Sequence, residues 1–279
     1  MKKNFWGISI LLVIGINSIS QEINKNPLWI KEQKVKEYFD KIYVSPTDAD
    51  KIAYNDSVTV LLEEIIKMQG SFQYPFDSLQ RMGKIVSPDK KFRLYNWNLS
   101  YLNGTHDYFC FMQKYSKEKK DYIIYSLIDK SEEIKNIESA VLDQNHWFGA
   151  LYYKIIPVKF KKKEYYMLLG LDLNNFLTTK KIIEPMQFDD NGNIRFGLDV
   201  FNVDRKKKKR MVFEYSSNAT MSLNTIENDK IILFDHLSPI RSDLKDKYEH
   251  YGPDFSYDAL KLKKGVWEYI SDFDARNNE

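Results

Sequence analysis

Residues 145–201 read NHWFGALYYKIIPVKFKKKEYYMLLGLDLNNFLTTKKIIEPMQFDDNGNIRFGLDVF. Two apolar runs, 150–160 and 165–172, flank a lysine-rich turn at 161–164. A third run, 181–188, ends at Asp189-Asp190-Asn191-Gly192, and a fourth begins at Ile194. Runs of this length between turn residues read as the strands of an antiparallel meander. The period of two puts Tyr165, Met167, Leu169 and Leu171 on one face of the second run, and Tyr166, Leu168, Gly170 and Asp172 on the other. The run 151–160 is also apolar on both faces. A strand covered on both sides is central, so a further layer is expected over this pair.

Working outward, strands are expected at 92–97, 108–114, 122–127, 210–215, 220–224, 230–235 and 265–270, with residues 131–139 a short polar helix or loop and 243–253 a loop. Ser87-Pro88-Asp89-Lys90 is a turn before an aromatic strand. It is similar to the turn preceding strands in bacterial propeller blades, but no second copy follows at a fixed period. Before the strands, Trp29, Val35, Tyr38, Phe39 and Ile42 give residues 28–43 a helical spacing. Thr47-x-x-Asp50 then offers a cap for a second helix. Its stripe, Val58, Leu61, Leu62, Ile65 and Ile66, calls for packing, most simply on the sheet, and Gly70 is its expected stop. The expectation is an α+β fold: N-terminal helices packed on a mainly antiparallel β-meander, as a sandwich, a barrel or a propeller-like array. It is read as a single domain over 21–279, helical over 21–82 and β-rich over 83–279.

The chain opens MKKNFWGISILLVIGINSIS: a positive head, a short uncharged apolar run and small residues at its end. This reads as a secretory signal peptide over residues 1–20, cleaved before Gln21. The apolar run is shorter than the ~20 residues a spanning helix needs, and no Cys follows the cleavage point to carry a lipid. The address expected is the periplasm or the cell surface. Without Lys2 and Lys3 the formal charge falls from +3 to +1. That balance gives no basic face for nucleic acid, and no nucleic-acid partner is expected. Cys110, the one cysteine, leaves no internal disulfide and reads as a buried small apolar side chain.

Candidate binding residues gather in two places. Asn145-His146-Trp147-Phe148-Gly149 stands with Asp172, Asn174 and Asn175 if the meander forms its hairpin; Trp beside Asn and Asp is a sugar-binding composition. Asp235 and His236 close a strand, and His250 and Asp254 follow in polar sequence, where His and carboxylate suit acid-base or metal chemistry. The site expected from these is Trp147, Asp172, Asn174, Asp235, His236, His250 and Asp254. Each has a plainer reading, a buried indole or a capping carboxylate. No metal spacing, phosphate loop or nucleophile elbow occurs in the sequence, so neither metal nor cofactor is expected. Asp189–Asn193 has the start of a calcium loop without its twelfth-position glutamate and reads as a tight turn. The basic run 205–210 reads as a solvated turn between strands.

Several stretches taken together resemble a group of exported proteins of Bacteroidetes bacteria to which no activity is assigned: SPDKKFRLYNW from Ser87, WFGALYYKII from Trp147, YMLLGLDLNN from Tyr166, KKII from Lys180, FEYS from Phe213, FDHL from Phe234 and YGPD from Tyr251. The resemblance implies a Gram-negative envelope address and supplies no mechanism. The function expected is a non-enzymatic exported binding module for a glycan, a peptide or an envelope protein. The alternative is a hydrolase using Asp235, His236, His250 and Asp254. Mass spectrometry of the exported protein should find Gln21 at its N-terminus, and an intact Met1 would overturn the leader assignment.

Overall fold

A computed structural model describes residues 26–116, 118–203 and 208–277. The leader over residues 1–20, the cleavage point before Gln21 and the first half of the basic run 205–210 lie outside the described residues. The chain forms two compact units that divide between Arg81 and Met82, one residue from the expected change at 82/83.

The first unit holds two helices, α1 (Pro27–Val44) and α2 (Asp48–Ile66). The Asn26 side chain caps α1 by accepting from the Leu28 amide at 2.9 Å, with Pro27 in the first turn where its missing N–H costs nothing. Thr47 caps α2 by accepting from the Asp50 amide at 3.1 Å, and its hydroxyl donates to the Asp50 carboxylate at 2.7 Å. Val58, Leu62, Ile65 and Ile66 are buried as the periodicity requires, with Leu61 at the stripe's half-buried margin. The helix ends at Ile66, four residues before Gly70, which takes a φ of +82° in the turn that follows. Glu32, buried in α1, accepts from the Tyr74 hydroxyl at 2.6 Å and the Ser78 amide at 2.7 Å, which ties the following loop to the helix.

The second unit is three open sheets, none closed into a barrel. The first sheet runs β1 (Gly83–Val86), β2 (Phe92–Ser100), β3 (His106–Ser116), β4 (Asp121–Ile128). The second contains β5 (Leu142–Asp143), β6 (Leu151–Phe160), β7 (Lys163–Asp172), β8 (Thr178–Phe188) and β9 (Ile194–Phe196) in the order β5-β9-β8-β7-β6. The third contains β10 (Phe201–Asn202), β12 (Leu223–Ile226), β13 (Ile231–Pro239), β14 (Tyr251–Lys263) and β15 (Val266–Ile270) in the order β10-β15-β14-β13-β12. The intervening β11 (Met211–Ser216) joins the second sheet beside β8. Among the described residues all the strand pairings are antiparallel except β10 with β15, and an isolated bridge between Asp129 and Trp147 is also parallel. The fold class is α+β with a β-rich meander, as expected.

The second sheet is the middle layer. Tyr166 and Leu168 on one face of β7 pack with Phe92, Leu94, Cys110 and Met112 of the first sheet. Tyr165, Met167 and Leu169 on the other face pack with Ile232, Phe234, Leu260 and Trp267 of the third. The alternation read from residues 165–172 is therefore the partition between two cores. In β6 the partition depends on a bulge between Tyr152 and Lys154, which shifts the register by one residue so that Tyr152 and Ile155 both serve the first core. Cys110 is buried in that core, and burial pushes its thiol pKa well up.

Two expectations fail. Residues 251–253, read as the end of a loop, begin β14. Their Gly-Pro-containing pattern carries no apolar period, and the strand exists because β13 extends to Pro239 and offers a pairing edge. Arg210, counted within a solvated basic run, is wholly buried. Met211 pairs with Ile183, so Arg210 falls beside Glu184 on the face toward the first sheet, and their side chains form an ion pair, both wholly buried. Glu184 also accepts from the Tyr152 hydroxyl, which accepts from the Trp147 indole at 2.9 Å. Arg210 donates onward to the Ile137 carbonyl. Pro185, which lacks an N–H, sits where β8 changes partner from β11 to β9, the one place on that edge where no donor is needed.

Breaking the pair from one side strands a buried charge. Glu184→Gln or Arg210→Met should each lower stability by about 3–5 kcal/mol, while the joint change Glu184→Leu with Arg210→Met should lose less than the sum. Urea unfolding measures both, and single changes below about 1 kcal/mol would mean the pair is solvated after all.

Candidate functional site

A cleft of about 460 Å³ opens at one end of the layer between the first and second sheets. The start of β3 supplies His106 and Tyr108, the segment after β4 supplies Asp129, and the β7–β8 turn supplies Asp172, Asn174 and Asn175. Lys180 of β8 and Phe148 complete the wall. Antiparallel register makes this local: Asp172 stands directly opposite Lys180, across a five-residue turn.

Asp172 is buried and held from three sides. It accepts from the Tyr108 hydroxyl at 2.8 Å and the Asn174 amide at 2.7 Å, and Lys180 Nζ lies 3.4 Å away. Asn174 takes a φ of +52°, which asparagine tolerates better than most residues. Its amide donates to Thr178 at 2.6 Å and its carbonyl accepts from Lys180 at 2.7 Å. The Thr178 hydroxyl in turn donates to Glu214 at 2.6 Å. Burial, then the Asp172 charge beside it, pushes the Tyr108 pKa well above the ordinary phenol value, so its hydroxyl stays a donor.

Asp129 anchors the opposite wall. It accepts from the Tyr108 amide at 3.0 Å, the Ser131 amide at 3.0 Å, the Ser131 hydroxyl at 2.6 Å and the Gly149 amide at 3.2 Å. A Cβ at Gly149 would overlap this carboxylate, so glycine is required for the approach. Burial nevertheless pushes the Asp129 carboxyl above its usual 3.8, against the donors that favour the anion.

His106 Nδ1 accepts from the Asn98 amide at 2.9 Å, an assignment that leaves the proton on Nε2. Its ring lies 6.4 Å from the Tyr108 ring. Burial holds its pKa below the ordinary 6.5 even with Asp172 and Asp107 nearby. Chemically the cleft is a fixed array of donors and acceptors, with Asp129 and Asp172 matched by Lys180, hydroxyls and amides and with Asp107, Glu132, Glu133 and Lys130 adding charge to its lining.

The expected residues divide. Asp172 and Asn174 are in this cleft, and Phe148, next to the expected Trp147, lines it. Trp147 itself is 0% exposed, its indole spent on Tyr152, because the stretch 147–152 feeds the first core; it offers no platform to a ligand. Asp235, His236 and Asp254 belong to the third sheet, across the middle layer from the face that carries Asp172. Asp235 accepts from the Ser222 amide at 2.6 Å across the β12–β13 pair, and Asp254 accepts from the Ser256 amide at 3.1 Å and hydroxyl at 2.8 Å in a local turn.

His236 pairs at 2.8 Å with the buried Asp258, a residue outside the expected site; Asp258 also accepts from the Tyr269 hydroxyl at 2.7 Å. That hydrogen bond raises the His236 pKa above 6.5. Pro239 pairs with Tyr251, so His250 falls opposite Ile240, four residues from His236 and about 13 Å along the strand at ~3.3 Å per residue. The nearest carboxylate partner of His250 is Glu249, at 4.0 Å. The two histidines are not brought into one cleft. Tyr248, two residues before His250, does reach Glu214, with which it lines a neighbouring cleft of about 680 Å³.

His106, Tyr108, Asp129 and Lys180 were missed. The only signals were a His-x-Tyr pair at a strand start and a lysine opposite Asp172 across the β7–β8 turn. Among the described residues no group of three His, Cys, Asp or Glu side chains converges to hold a metal ion. Asp189 accepts from the Asn191 and Asn193 amides at 2.9 and 2.8 Å, the tight turn expected there. No family model, curated protein or solved structure matches the chain.

The two shifted histidines make opposite contributions to stability. His106 resists protonation in the fold, so its contribution is present above 6.5 and is lost as pH falls below that value. His236 favours protonation, so its contribution is present below 6.5 and is lost as pH rises through its folded value. An NMR titration should give midpoints on opposite sides of 6.5, and Asp258→Asn should bring that of His236 down. The reverse order would show the pairings to be wrong.

Proposed function

We propose that the protein is an exported binding module, periplasmic or surface-associated, that takes an uncharged polar ligand, a glycan before a peptide or an envelope protein, in the Asp172 cleft. The observation that carries this is the closed pairing of Asp172 with Tyr108, Asn174 and Lys180. Neutralising Asp172 within the wall leaves fixed hydrogen-bond geometry at that point as the means of recognition. The volume, about 460 Å³, is that of a small-ligand site. Among the described residues no helix is long and apolar enough to cross a membrane. The separation of His236 from His250 weighs against the hydrolase alternative, which needs both in one cleft.

An array of neutral and anionic oligosaccharides and short peptides tests the reading. Neutral oligosaccharides should bind, and Lys180→Met and His106→Gln should each weaken them at least tenfold, about 1.4 kcal/mol; His106→Gln should leave the melting temperature nearly unchanged, while Lys180→Met, which removes the partner of the buried Asp172, should lower it. Hits that bind both variants as tightly as the parent would place the site elsewhere.

A further inference from the structure

The same inter-sheet layer has a second opening at its other end, a cavity of about 560 Å³. Three features of it go unused by the cleft just described. The first is a break in pattern. Along β3 the residues facing the second sheet are Tyr108, Cys110 and Met112, all buried and apolar, and the next in that series is Lys114. Its backbone partner is Phe92, itself wholly buried, so the register aims the lysine inward at the layer rather than out to solvent. An ammonium in an inward-facing series is the kind of local inconsistency that functional sites retain.

The second feature is that this ammonium is left without a counter-ion. Lys114 Nζ lies 4.5 Å from the centre of the Phe188 ring. Among the described residues no carboxylate comes within ion-pair distance of Lys114 or of Lys90, which also lines the cavity. Of the nearby carboxylates, Glu164 is engaged with Lys91 and Lys159, and Asp89 with Lys91 at 3.6 Å and the Tyr166 hydroxyl at 2.7 Å; Glu118 also lines the cavity but reaches neither Lys114 nor Lys90. Burial, then repulsion from Lys91, holds the Lys114 pKa below its usual 10.5. An anion arriving in the cavity would relieve that penalty.

The third feature is the wall. Tyr166 and Phe188 stand edge to face at 6.3 Å, both packed on Phe92. Phe188 gives an aromatic surface directly below the ammonium, held in place by the buried Tyr166 behind it. A bare inorganic anion would leave this surface unused, and a neutral apolar molecule would leave Lys114 uncompensated.

We propose that this cavity binds an organic anion, a carboxylate or sulfonate on an aromatic or aliphatic body, with the head group on Lys114 and Lys90 and the body against Phe188 and Tyr166. The site is separate from the Asp172 cleft and does not depend on the function proposed for it.

Calorimetry on the full chain with naphthalene-2-sulfonate, and with neutral 2-naphthalenemethanol as its counterpart, tests this. The sulfonate should bind at one site at least tenfold more tightly than the alcohol, and Lys114→Met should remove that preference. Phe188→Leu should weaken both probes. Because Lys114 is partly buried, a second measurement uses the unaltered protein: saturating sulfonate should slow acetylation of Lys114 at least fivefold, read by mass spectrometry, and the alcohol should not. Equal affinity for the two probes, an unchanged preference in Lys114→Met, or unprotected Lys114 would each overturn the proposal.

Discussion

The carboxylate of Glu184 and the guanidinium of Arg210 meet inside the layer between the first two sheets, both wholly buried. Two charges removed from water are tolerable only when each finds its full set of partners. Most of that set is present here, although Arg210 Nη2 meets Glu184 as an ion pair without a hydrogen bond. Tyr152 donates to the second carboxylate oxygen, Trp147 donates to Tyr152, and the Ile137 carbonyl receives the far side of the guanidinium. These groups come from β6, β8, the approach to β11 and the segments between sheets, so the pair fixes how four separate stretches of chain meet. A core of leucine and phenylalanine would bind the same sheets together with less say over their register.

That constraint reaches the cleft through short covalent paths. Trp147, fixed by the network, is two residues from Gly149, whose amide binds Asp129. Glu184 lies in the same strand as Lys180, whose ammonium faces Asp172. The cleft's walls are therefore strand ends and anchored turns of a packed sandwich, which hold donors and acceptors to a fixed geometry better than free loops do.

The two openings share one architecture. β3 enters the layer at His106, beside the Asp172 cleft, and leaves it past Lys114, beside the lysine cavity. The separation is about 27 Å at ~3.4 Å per residue. β7 runs the opposite way, from Glu164 at the lysine cavity to Asp172 at the cleft. Between them the layer is filled by Leu94, Cys110, Met112, Leu168 and Met186. An antiparallel pair of sheets packs its middle and leaves its ends open, so polar side chains gather at the two rims. Which rim receives carboxylates and amides, and which receives unpaired lysines, is decided by a few residues at strand termini.

The sequence by itself determined the elements that have a period. Both helices, the turns at Lys161 and Asp189, the two apolar faces of β7 and the central place of the meander follow from spacings within a dozen residues, and the structure has them. Tertiary structure decided what depends on neighbours distant in the chain. β14 is a strand because β13 is there to pair with it. Arg210 is buried although it ends a basic run, because register sets it beside Glu184, and nothing within ten residues of it says so. Trp147 looks like a ligand platform in a list of residues and is core in space. His236 finds Asp258, twenty-two positions on, rather than His250, because a bulged hairpin brings the first pair together and spaces the second apart. Local propensity is a property of the chain. The identity of a side chain's partner is a property of the register, and register is set only when whole sheets have packed.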